Sequence, residues 1–450
     1  MPYFQRPAVA GDSRRTIALD VLGAALAAVE PGEAVRRALQ REGDRLIVGG
    51  RTVDLARFRR VWVVGAGKAS APMAAAVEEV LGDRVSGGHV TVKYGYTAPT
   101  TRVTLHEAGH PVPDEAGLAG SRAIVDLLRD TREDDLVIAV FSGGGSALMT
   151  LPVDGIALAD MQALTEALLR SGAPIGTLNT VRKHLSQVKG GQLARHASPA
   201  TLITLIVSVV VGNPLDVIAS GPTVPDPTTA ADARAALEQF GVWAPAPESI
   251  RRHLEAVMAG QGAETPKPGD PIFERVQNVI IADNARAAEA ARDRAEALGL
   301  HAAIATTFLE GEAREVAVAL ASIGKEIAAH NRPIVRPACV LFGGETTVTV
   351  RGAGKGGRNQ ELALAAALAL AGTRDISLAS LATDGTDGPT DAAGGLVDGE
   401  TVERAAAQGR SARAALDDND AYPLLAAAGD LLVTGPTNTN VNDLIALFVW

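Results

Sequence analysis

The sequence is poor in the residues that mark several common protein classes. Its 450 residues include one cysteine, Cys339, and aromatic residues make up 3% of the chain. A single cysteine excludes an intramolecular disulfide framework, and no paired Cys/His spacing of the structural zinc type occurs. We therefore expect a reduced, cytoplasmic setting.

Long apolar runs are also missing. The longest, residues 202–211, is interrupted by Thr204 and Ser208 and falls short of the roughly 20 residues that span a bilayer. Residues 1–16 hold no apolar core of signal-peptide length. The formal net charge of -10 argues against bulk binding to nucleic acid or to an acidic membrane surface. We expect small-molecule partners, with a homodimer as one candidate for the oligomeric state.

The chain instead alternates short β-branched runs with long Ala/Leu/Arg segments, which predicts β-α units on a largely parallel sheet. The predicted strands cover residues 60–67, 135–145, 201–211, 276–284, 301–307, 338–352 and 376–385. The predicted helices include residues 285–298, 312–330 and 359–371. The length suggests about two or three domains. Because residues 225–270 are rich in Pro and small polar residues, we place the domain boundary there, between residues 1–245 and 246–450.

Three familiar motifs fail on their context. "HEAGH" at 106–110 matches a zinc-protease pattern, but Gly109 and the following Pro-Val-Pro oppose the helix that such a site needs. "GAGK" at 65–68 is not a P-loop, since Ala69 stands where Ser or Thr would hold magnesium. "GAGKGG" at 352–357 has the dinucleotide spacing, but no acid follows about 20 residues later to bind a ribose.

Three glycine-rich turns follow predicted strands. In open α/β sheets, ligands bind at the carboxyl ends of strands, where backbone N–H groups are available to anions. Lys68 lies near a helix start after the first turn, and Gly143 to Gly145 permit close backbone approach to a polyphosphate. Each turn alone is equally compatible with a tight β-α connection, and the three together favour phosphate binding.

A basic segment, residues 179–191, is predicted to be a helix. It would place Arg182, Ser186 and Lys189 on one face at i, i+4 and i+7. Such a face is usually solvated. In an acidic protein it also suits an anion clamp.

The C-terminal half is dense in polar motifs: Glu345, Arg358 at a predicted helix start, "ATDGTDGPTDAAGG" at 382–395 and "TGPTNTNVND" at 434–443. The aspartates of the 382–395 loop suit either a hard cation or Asx-turns that cap backbone groups. Arg358 offers a rigid donor fork for a carboxylate or a phosphate.

Taken together, these motifs resemble the glycerate 2-kinase family, whose C-terminal part is called the MOFRL domain. The resemblance rests on "GAGKAS", "FSGGGSAL", "NTVRKHLSQVKGGQLA", "VIASGPTVPDPT", "GGETTVTVRGAGKGGRNQE", "ATDGTDGPTDAAGG" and "TGPTNTNVND", in order over nearly the whole chain. It implies an α/β fold of two domains, an N-terminal Rossmann-like domain and a smaller C-terminal domain with the MOFRL region at about 336–445. It also implies an active site in the cleft between them, and ATP- and Mg2+-dependent phosphorylation of D-glycerate to 2-phosphoglycerate.

The resemblance implies site residues position by position. Lys68 and Arg358 match the family's essential lysine and arginine, and we add Asp216 as a third catalytic candidate. Glu345 and Asp384 are the metal candidates. The residues that we expect to bind the nucleotide are Gly65, Gly67, Ser142, Gly143, Gly144, Gly145, Ser146, Arg182, Lys189, Asn359, Gln360, Glu361, Asn440 and Asp443.

The stretch before Asp216 departs from the family pattern S-D-V-x-G-D-x-L-D. Val209 and Asn213 stand where the first two acids belong, and Val can neither accept a proton nor bind a metal. We therefore expect weakened or lost turnover. Asn438 replaces a family glycine, at a turn where φ > 0 is expected. An NAD(P)-dependent hydroxypyruvate reductase and a catalytically silent binding protein stay open as alternatives.

Overall fold

The computed structural model describes residues 3–5 and 13–450. The strands in this part of the chain are β1 (Leu39–Glu42), β2 (Arg45–Val48), β3 (Arg51–Asp54), β4 (Arg60–Ala66), β5 (Val85–Lys93), β6 (Val103–Ala108), β7 (Asp135–Phe141), β8 (Thr201–Val207), β9 (Val276–Ala282), β10 (His301–Leu309), β11 (Ala338–Gly344), β12 (Ile376–Ala382), β13 (Gly394–Asp398), β14 (Leu431–Leu432) and β15 (Asp443–Val449).

The helices are α1 (Ser13–Ala28), α2 (Pro31–Ala38), α3 (Ser70–Leu81), α4 (Glu115–Arg129), α5 (Gly145–Leu148), α6 (Leu158–Arg170), α7 (Ile175–His184), α8 (Gln192–Ala197), α9 (Ala230–Gln239), α10 (Glu248–Met258), α11 (Asn284–Ala297), α12 (Ala313–His330), α13 (Arg358–Leu370), α14 (Thr401–Ala407), α15 (Ala412–Asp417) and α16 (Ala421–Ala428). None of these described helices has the length and apolarity needed to cross a membrane.

The chain divides into two compact units. The first unit contains Pro31–Ser208 and Asn213–Ile281, and the second contains Met1–Glu30, Val209–Gly212 and Ala282–Trp450. This division differs from the predicted boundary after residue 245. Residues beyond 245 stay with the first unit because α10 packs into its helical core and β9 joins its sheet.

The first unit holds a six-stranded sheet of order β6-β5-β4-β7-β8-β9, in which β4 to β8 run parallel, and a small antiparallel sheet of β1, β2 and β3. Every residue of β7 is buried, as expected for a parallel strand covered on both faces. Since β4 and β7 are parallel neighbours, the glycine-rich turns that follow them emerge at the same edge of the sheet.

The second unit holds a mixed sheet of order β10-β11-β15-β12-β13-β14. Only β10 and β11 pair in parallel among its described strands, and the other pairs are antiparallel. The α/β class is confirmed, but the largely parallel sheet is found in the first unit alone. The C-terminal strand β15 inserts between β11 and β12, and the alternation of strands and helices along the chain does not reveal such an insertion.

Helix α1 belongs to the second unit although it precedes the first in sequence. The buried guanidinium of Arg15 pairs with Asp398 at 2.6 Å and with Asp430 at 2.8 Å. These ion pairs are largely withdrawn from water, and both aspartates also pair with Arg404, at 2.9 and 2.8 Å. They fix the N-terminal helix to the C-terminal unit.

Candidate active site

The turn after β4 is hydrogen-bonded to the turn after β7. The Lys68 N–H donates to the Gly143 carbonyl at 2.8 Å, and the Ala69 N–H donates to the Ser142 hydroxyl at 2.9 Å. A Cβ on Gly67 would lie 2.1 Å from that hydroxyl, so only glycine allows this approach. The structure therefore brings Lys68 and the 142–146 turn together, as predicted.

The glycines of these turns differ in exposure. Gly65, Gly67, Gly143 and Gly145 are buried, and Ser142 is 2% exposed, so they pack the two turns against each other. Gly144 is only partly buried.

A cavity of about 760 Å³ opens beside Gly144 in the first unit. One part of its lining is polar and is formed by Gly144, Ser146, His110, Arg182 and Lys189. The other part is apolar and includes Val112, Pro113, Met161 and Leu169. A cavity of this size suits a small organic ligand with an anionic end.

Two cationic side chains that line this cavity have lowered pKa values. Burial, and then the charge of Arg182, lower the pKa of Lys189 to about 7. Burial also lowers the pKa of Arg182. The Lys189 ammonium donates to the Met149 carbonyl, and in the described part of the chain neither cation forms an ion pair. An anion in the cavity would satisfy both charges.

The predicted helix over 179–191 is wrong in its second half. Helix α7 ends at His184, and Ser186 forms an isolated β-bridge with Pro152 instead. The backbone hydrogen bonds between 151–153 and 185–187 replace the helical ones. Arg182 and Lys189 nevertheless line one cavity.

A buried ionic network supports the loop that follows β8. The ammonium of Lys183, 3% exposed, lies 3.4 Å from Asp216 and 3.5 Å from Asp226. The carboxylate of Asp226 is fully buried and also accepts hydrogen bonds from Thr228 and Thr265. The Asp216 side chain is 42% exposed, so it remains available to a ligand. Sequence reasoning found Asp216 but missed Lys183 and Asp226.

The loop itself begins earlier than predicted, since β8 ends at Val207 and not at 211. Val209 is partly buried, and Asn213 has φ 57°, a conformation that Asn and Asp tolerate better than other non-glycine residues. An aspartate would therefore fit the backbone at 213 as well as asparagine does. A hydrogen bond of 3.0 Å between Ser146 and Ser220 joins the 142–146 turn to the far end of this loop.

In the second unit, Arg358 begins α13 between two acids. Its guanidinium makes two hydrogen bonds to Asp443, at 2.6 and 3.0 Å, and pairs with Glu345 at 2.7 Å. Burial opposes the charge of Arg358, but Asp443 and Glu345 more than offset it and raise its pKa. Burial raises the pKa of Asp443 to about 6, against the effect of Arg358. The structure thus unites three of the predicted residues.

The next three predicted residues, Asn359, Gln360 and Glu361, are almost fully buried. The backbone N–H groups of Asn359 and Gln360 both donate to the Asp387 carboxylate, at 3.1 and 2.9 Å. Glu361 pairs with Arg314 at 2.8 Å and accepts a hydrogen bond from Asn419. Their contacts within the unit hold the start of α13, and hence Arg358, in place.

The aspartates of the acidic loop 382–395 have separate structural roles. Asp384 accepts from the Thr386 N–H in an Asx-turn, Asp387 caps α13, and Asp391 accepts from Tyr422. Among the described residues, no three His, Cys, Asp or Glu side chains form a group that could hold a metal. The predicted metal candidates Glu345 and Asp384 are therefore not members of such a group.

The 434–443 segment supports the same region. Asn438 adopts φ 59°, so this asparagine takes the positive φ expected at the turn. The Asn440 side chain donates to Asp384 at 3.4 Å and accepts from the Asn442 N–H. Asn442 in turn donates to Glu345 at 2.8 Å.

Two of the three rejected motifs have other structural roles. His106 and Glu107 lie on strand β6, so "HEAGH" is not helical. The backbone N–H groups of 351–353 and 355 donate to Asp418, Asn419 and Asp420. Acidic side chains therefore occupy the glycine-rich loop 352–357, where a dinucleotide pyrophosphate would be repelled.

Comparison with known proteins agrees with this geometry. A family model described as a domain of unknown function, DUF4147, matches residues 17–255, and the MOFRL family model matches residues 338–443. The glycerate 2-kinase of Pyrococcus horikoshii is 45% identical over 97% of both chains. This chain belongs to the glycerate 2-kinase family.

Other glycerate kinases support the assignment to this family. The D-glycerate 2-kinase of Thermotoga maritima is 44% identical over 96% of this chain and 98% of its own. The crystal structure of a Thermotoga maritima glycerate kinase, 42% identical, matches with a TM-score of 0.88 and covers 97% of this chain and 100% of that one. An Agrobacterium vitis relative, 46% identical over 87% of each chain, is provisionally named a hydroxypyruvate reductase.

Proposed function

We propose that the protein transfers the γ-phosphate of ATP to the 2-hydroxyl of D-glycerate, giving 2-phosphoglycerate and ADP. The observation that carries this proposal is one cavity lined by Gly144, Ser146, Arg182 and Lys189. Lys68 lies next to it, because its backbone N–H is bonded to the Gly143 carbonyl of the same turn. Phosphoryl transfer asks chiefly for positioning and for stabilisation of negative charge, and this group of cations and backbone amides supplies both. The family's kinase members are consistent with it.

The nucleotide would occupy the cavity with its phosphates at the polar end. Lys189 and Arg182 would neutralise phosphate oxygens there, while Ser146 and Gly144 would offer hydrogen bonds at close range. The apolar part beside Met161 and Leu169 would accept the base. Lys68, at the junction of the two turns, would stabilise the phosphoryl group during transfer.

Arg358 would bind either the carboxylate of D-glycerate or the γ-phosphate. Asp443 and Glu345 hold its guanidinium from two sides, so its orientation is fixed before a ligand arrives. Asn359, Gln360 and Glu361 would act by positioning α13. Asp216 would orient the attacking hydroxyl group, since its carboxylate is the exposed member of the Lys183 network.

Magnesium fits this proposal as a companion of the nucleotide. Mg2+ is usually held by one or two carboxylates together with substrate phosphates and water, so it does not require a preformed cluster of protein ligands. Asp384 and Glu345 are the carboxylates that we propose for it. Bound there, the ion would neutralise charge on the phosphates.

Val209 and Asn213 would lower turnover without disturbing the fold. Asn213 keeps a backbone conformation that aspartate shares, and Val209 lies in a loop outside strand β8. The missing carboxylates would leave Asp216 alone to orient the hydroxyl group. A protein that binds the nucleotide or glycerate without turnover is the limiting case of the same idea.

The reductase alternative is disfavoured by the acids that occupy the 352–357 loop. We further propose a cytoplasmic location, in keeping with the single buried cysteine.

Product analysis tests the proposal. A Val209→Asp, Asn213→Asp variant is incubated with ATP, Mg2+ and D-glycerate, and the product is passed to enolase, which accepts 2-phosphoglycerate but not the 3-isomer. We expect an enolase signal that disappears with Lys68→Met or Arg358→Met, while ATP still protects Arg358→Met against heat. NADH oxidation with hydroxypyruvate in place of an enolase signal would contradict the kinase proposal.

A further inference from the structure

His110 lies against the glycine-rich turn at the polar end of the cavity. A Cβ built on Gly144 would be 2.9 Å from the His110 Cδ2 atom, 3.0 Å from its Nε2 atom and 3.4 Å from the Lys68 Cγ atom. The imidazole therefore packs directly on the Gly144 backbone, beside Lys68. No role was assigned to this residue from the sequence, because it appeared only as the end of a rejected zinc motif.

His110 is one of the residues that line the cavity. Within residues 3–5 and 13–450, His110 makes no hydrogen bond or ion pair through its side chain, yet neither nitrogen is a buried atom lacking a partner. A histidine that merely completes a core normally satisfies its nitrogens within the protein. Open nitrogens that line a cavity are instead available to a ligand.

The charges around His110 favour an anion. Burial lowers its pKa, and the nearby Lys68 and Lys93 lower it further, which favours the uncharged imidazole. Arg182, on α7, and Lys189, in the segment that follows it, line the same cavity. Glu166, the acid that lines the cavity from α6, is already paired with Arg170. A polyphosphate at this end would offset the cations and leave the imidazole free to donate a hydrogen bond.

We propose that His110 binds the terminal phosphate of the nucleotide through an N–H donated by its imidazole. The proposal rests on the proposed function for the identity of the ligand. It adds a contact next to Lys68, so the terminal phosphate would be held between a cation and a neutral donor. A bound polyphosphate would also raise the proton affinity of the ring, which would strengthen the contact as pH falls.

The test measures binding and does not depend on turnover. The affinities of adenosine, AMP, ADP and ATP are compared by calorimetry for the wild-type protein, His110→Leu and His110→Gln. We expect His110→Leu to weaken ATP by about tenfold or more, with adenosine and AMP unchanged, and the amide of His110→Gln to restore part of the loss. His196→Leu is the matched control, because His196 belongs to the same unit, bonds to the Gln187 carbonyl and lies outside the cavity lining.

A spectroscopic readout accompanies the calorimetry. The imidazole C–H signal of His110, assigned with His110→Gln, is titrated with pH in the presence of adenosine or ATP. We expect ATP, and not adenosine, to raise the pKa of His110. Equal weakening of all four ligands would indicate a structural role, and a loss already complete with AMP would place the contact at another phosphate; either result overturns the proposal. A wild-type protein that binds none of the four would overturn the proposed function as well.

Discussion

Removing the carboxylate of Asp387 should destabilise the second unit, because this side chain caps the buried start of α13. Asp387 is 3% exposed and accepts from the N–H groups of Asn359 and Gln360. Loss of a helix cap costs about 0.5–2 kcal/mol, and a second buried N–H left without an acceptor costs about 1–3 kcal/mol. Burial raises the pKa of Asp387, so removing the charge relieves part of this cost. For Asp387→Ala we therefore expect a loss of about 2–3 kcal/mol.

The loss can be assigned to the second unit by fluorescence. Trp450 lies in this unit, where it stacks on Phe448 and donates a hydrogen bond to Ser377. A variant with Trp62→Phe and Trp243→Phe keeps Trp450 as its one tryptophan, so its fluorescence reports on the second unit alone. Urea unfolding in that background, in the presence of EDTA, gives the free energy of unfolding.

Two further variants calibrate the measurement. Asp387→Asn keeps one acceptor oxygen and should lose about 1 kcal/mol. Asp391→Asn, at an exposed position where the carboxylate accepts from the Tyr422 hydroxyl, should lose less than about 0.5 kcal/mol. If Asp387→Ala unfolds like its parent in EDTA but loses a magnesium-dependent stabilisation, the aspartate is a metal ligand and the capping argument is refuted.

Three other expectations follow from the first unit and from the cysteine. Lys183→Met removes the cation that pairs with the buried Asp226 carboxylate, so the free energy of unfolding should fall by about 3 kcal/mol in urea denaturation. Adding Asp226→Asn should recover part of that loss. Because the ammonium of Lys189 loses its proton as pH rises through about 7, ATP affinity measured by calorimetry should fall above pH 7, and Lys189→Arg should flatten that dependence. Burial raises the pKa of the Cys339 thiol, so a thiol reagent should label the native protein far more slowly than the urea-unfolded one; rapid native labelling would contradict the buried β11.

Local patterns predicted two strands of the first unit and three helices of the second. The strands over 60–66 and 135–141 and the helices α11, α12 and α13 lie within a residue or two of their expected bounds, except that the 135–145 strand ends at Phe141. β-branched runs between glycine-rich turns determine such strands locally. The same pattern located Lys68 and the 142–146 turn.

The errors arose where distant backbone pairing decides the structure. The segment after His184 has helical periodicity, but Ser186 pairs with Pro152, which lies more than thirty residues away in the chain. Likewise, β11 ends at Gly344 and not at 352, since the chain beyond it bonds to residues 309–311. No window of neighbouring sequence contains such partners.

The roles of polar residues are harder to predict from the sequence than the positions of strands and helices. The family resemblance predicts that Asn359, Gln360 and Glu361 bind the nucleotide. In the structure, they bond to Asp387, Arg314 and Asn419. Conversely, His110 ends the "HEAGH" pattern, and Lys183 lies on the predicted helix but outside the face of Arg182, Ser186 and Lys189. The fold is needed to tell which polar groups bond to one another and which face a cavity.

The central claim is that this chain has the ligand pockets of a glycerate 2-kinase and that Val209 and Asn213 limit its turnover. The most direct measurement is ADP release with D-glycerate, ATP and Mg2+, for the protein as it stands and for Val209→Asp, Asn213→Asp. Val210→Asp, which adds an acid at a neighbouring position of the same loop, serves as the matched control. The account predicts that only the double variant gains turnover. A fast protein as it stands, or an equal gain from Val210→Asp, would contradict it.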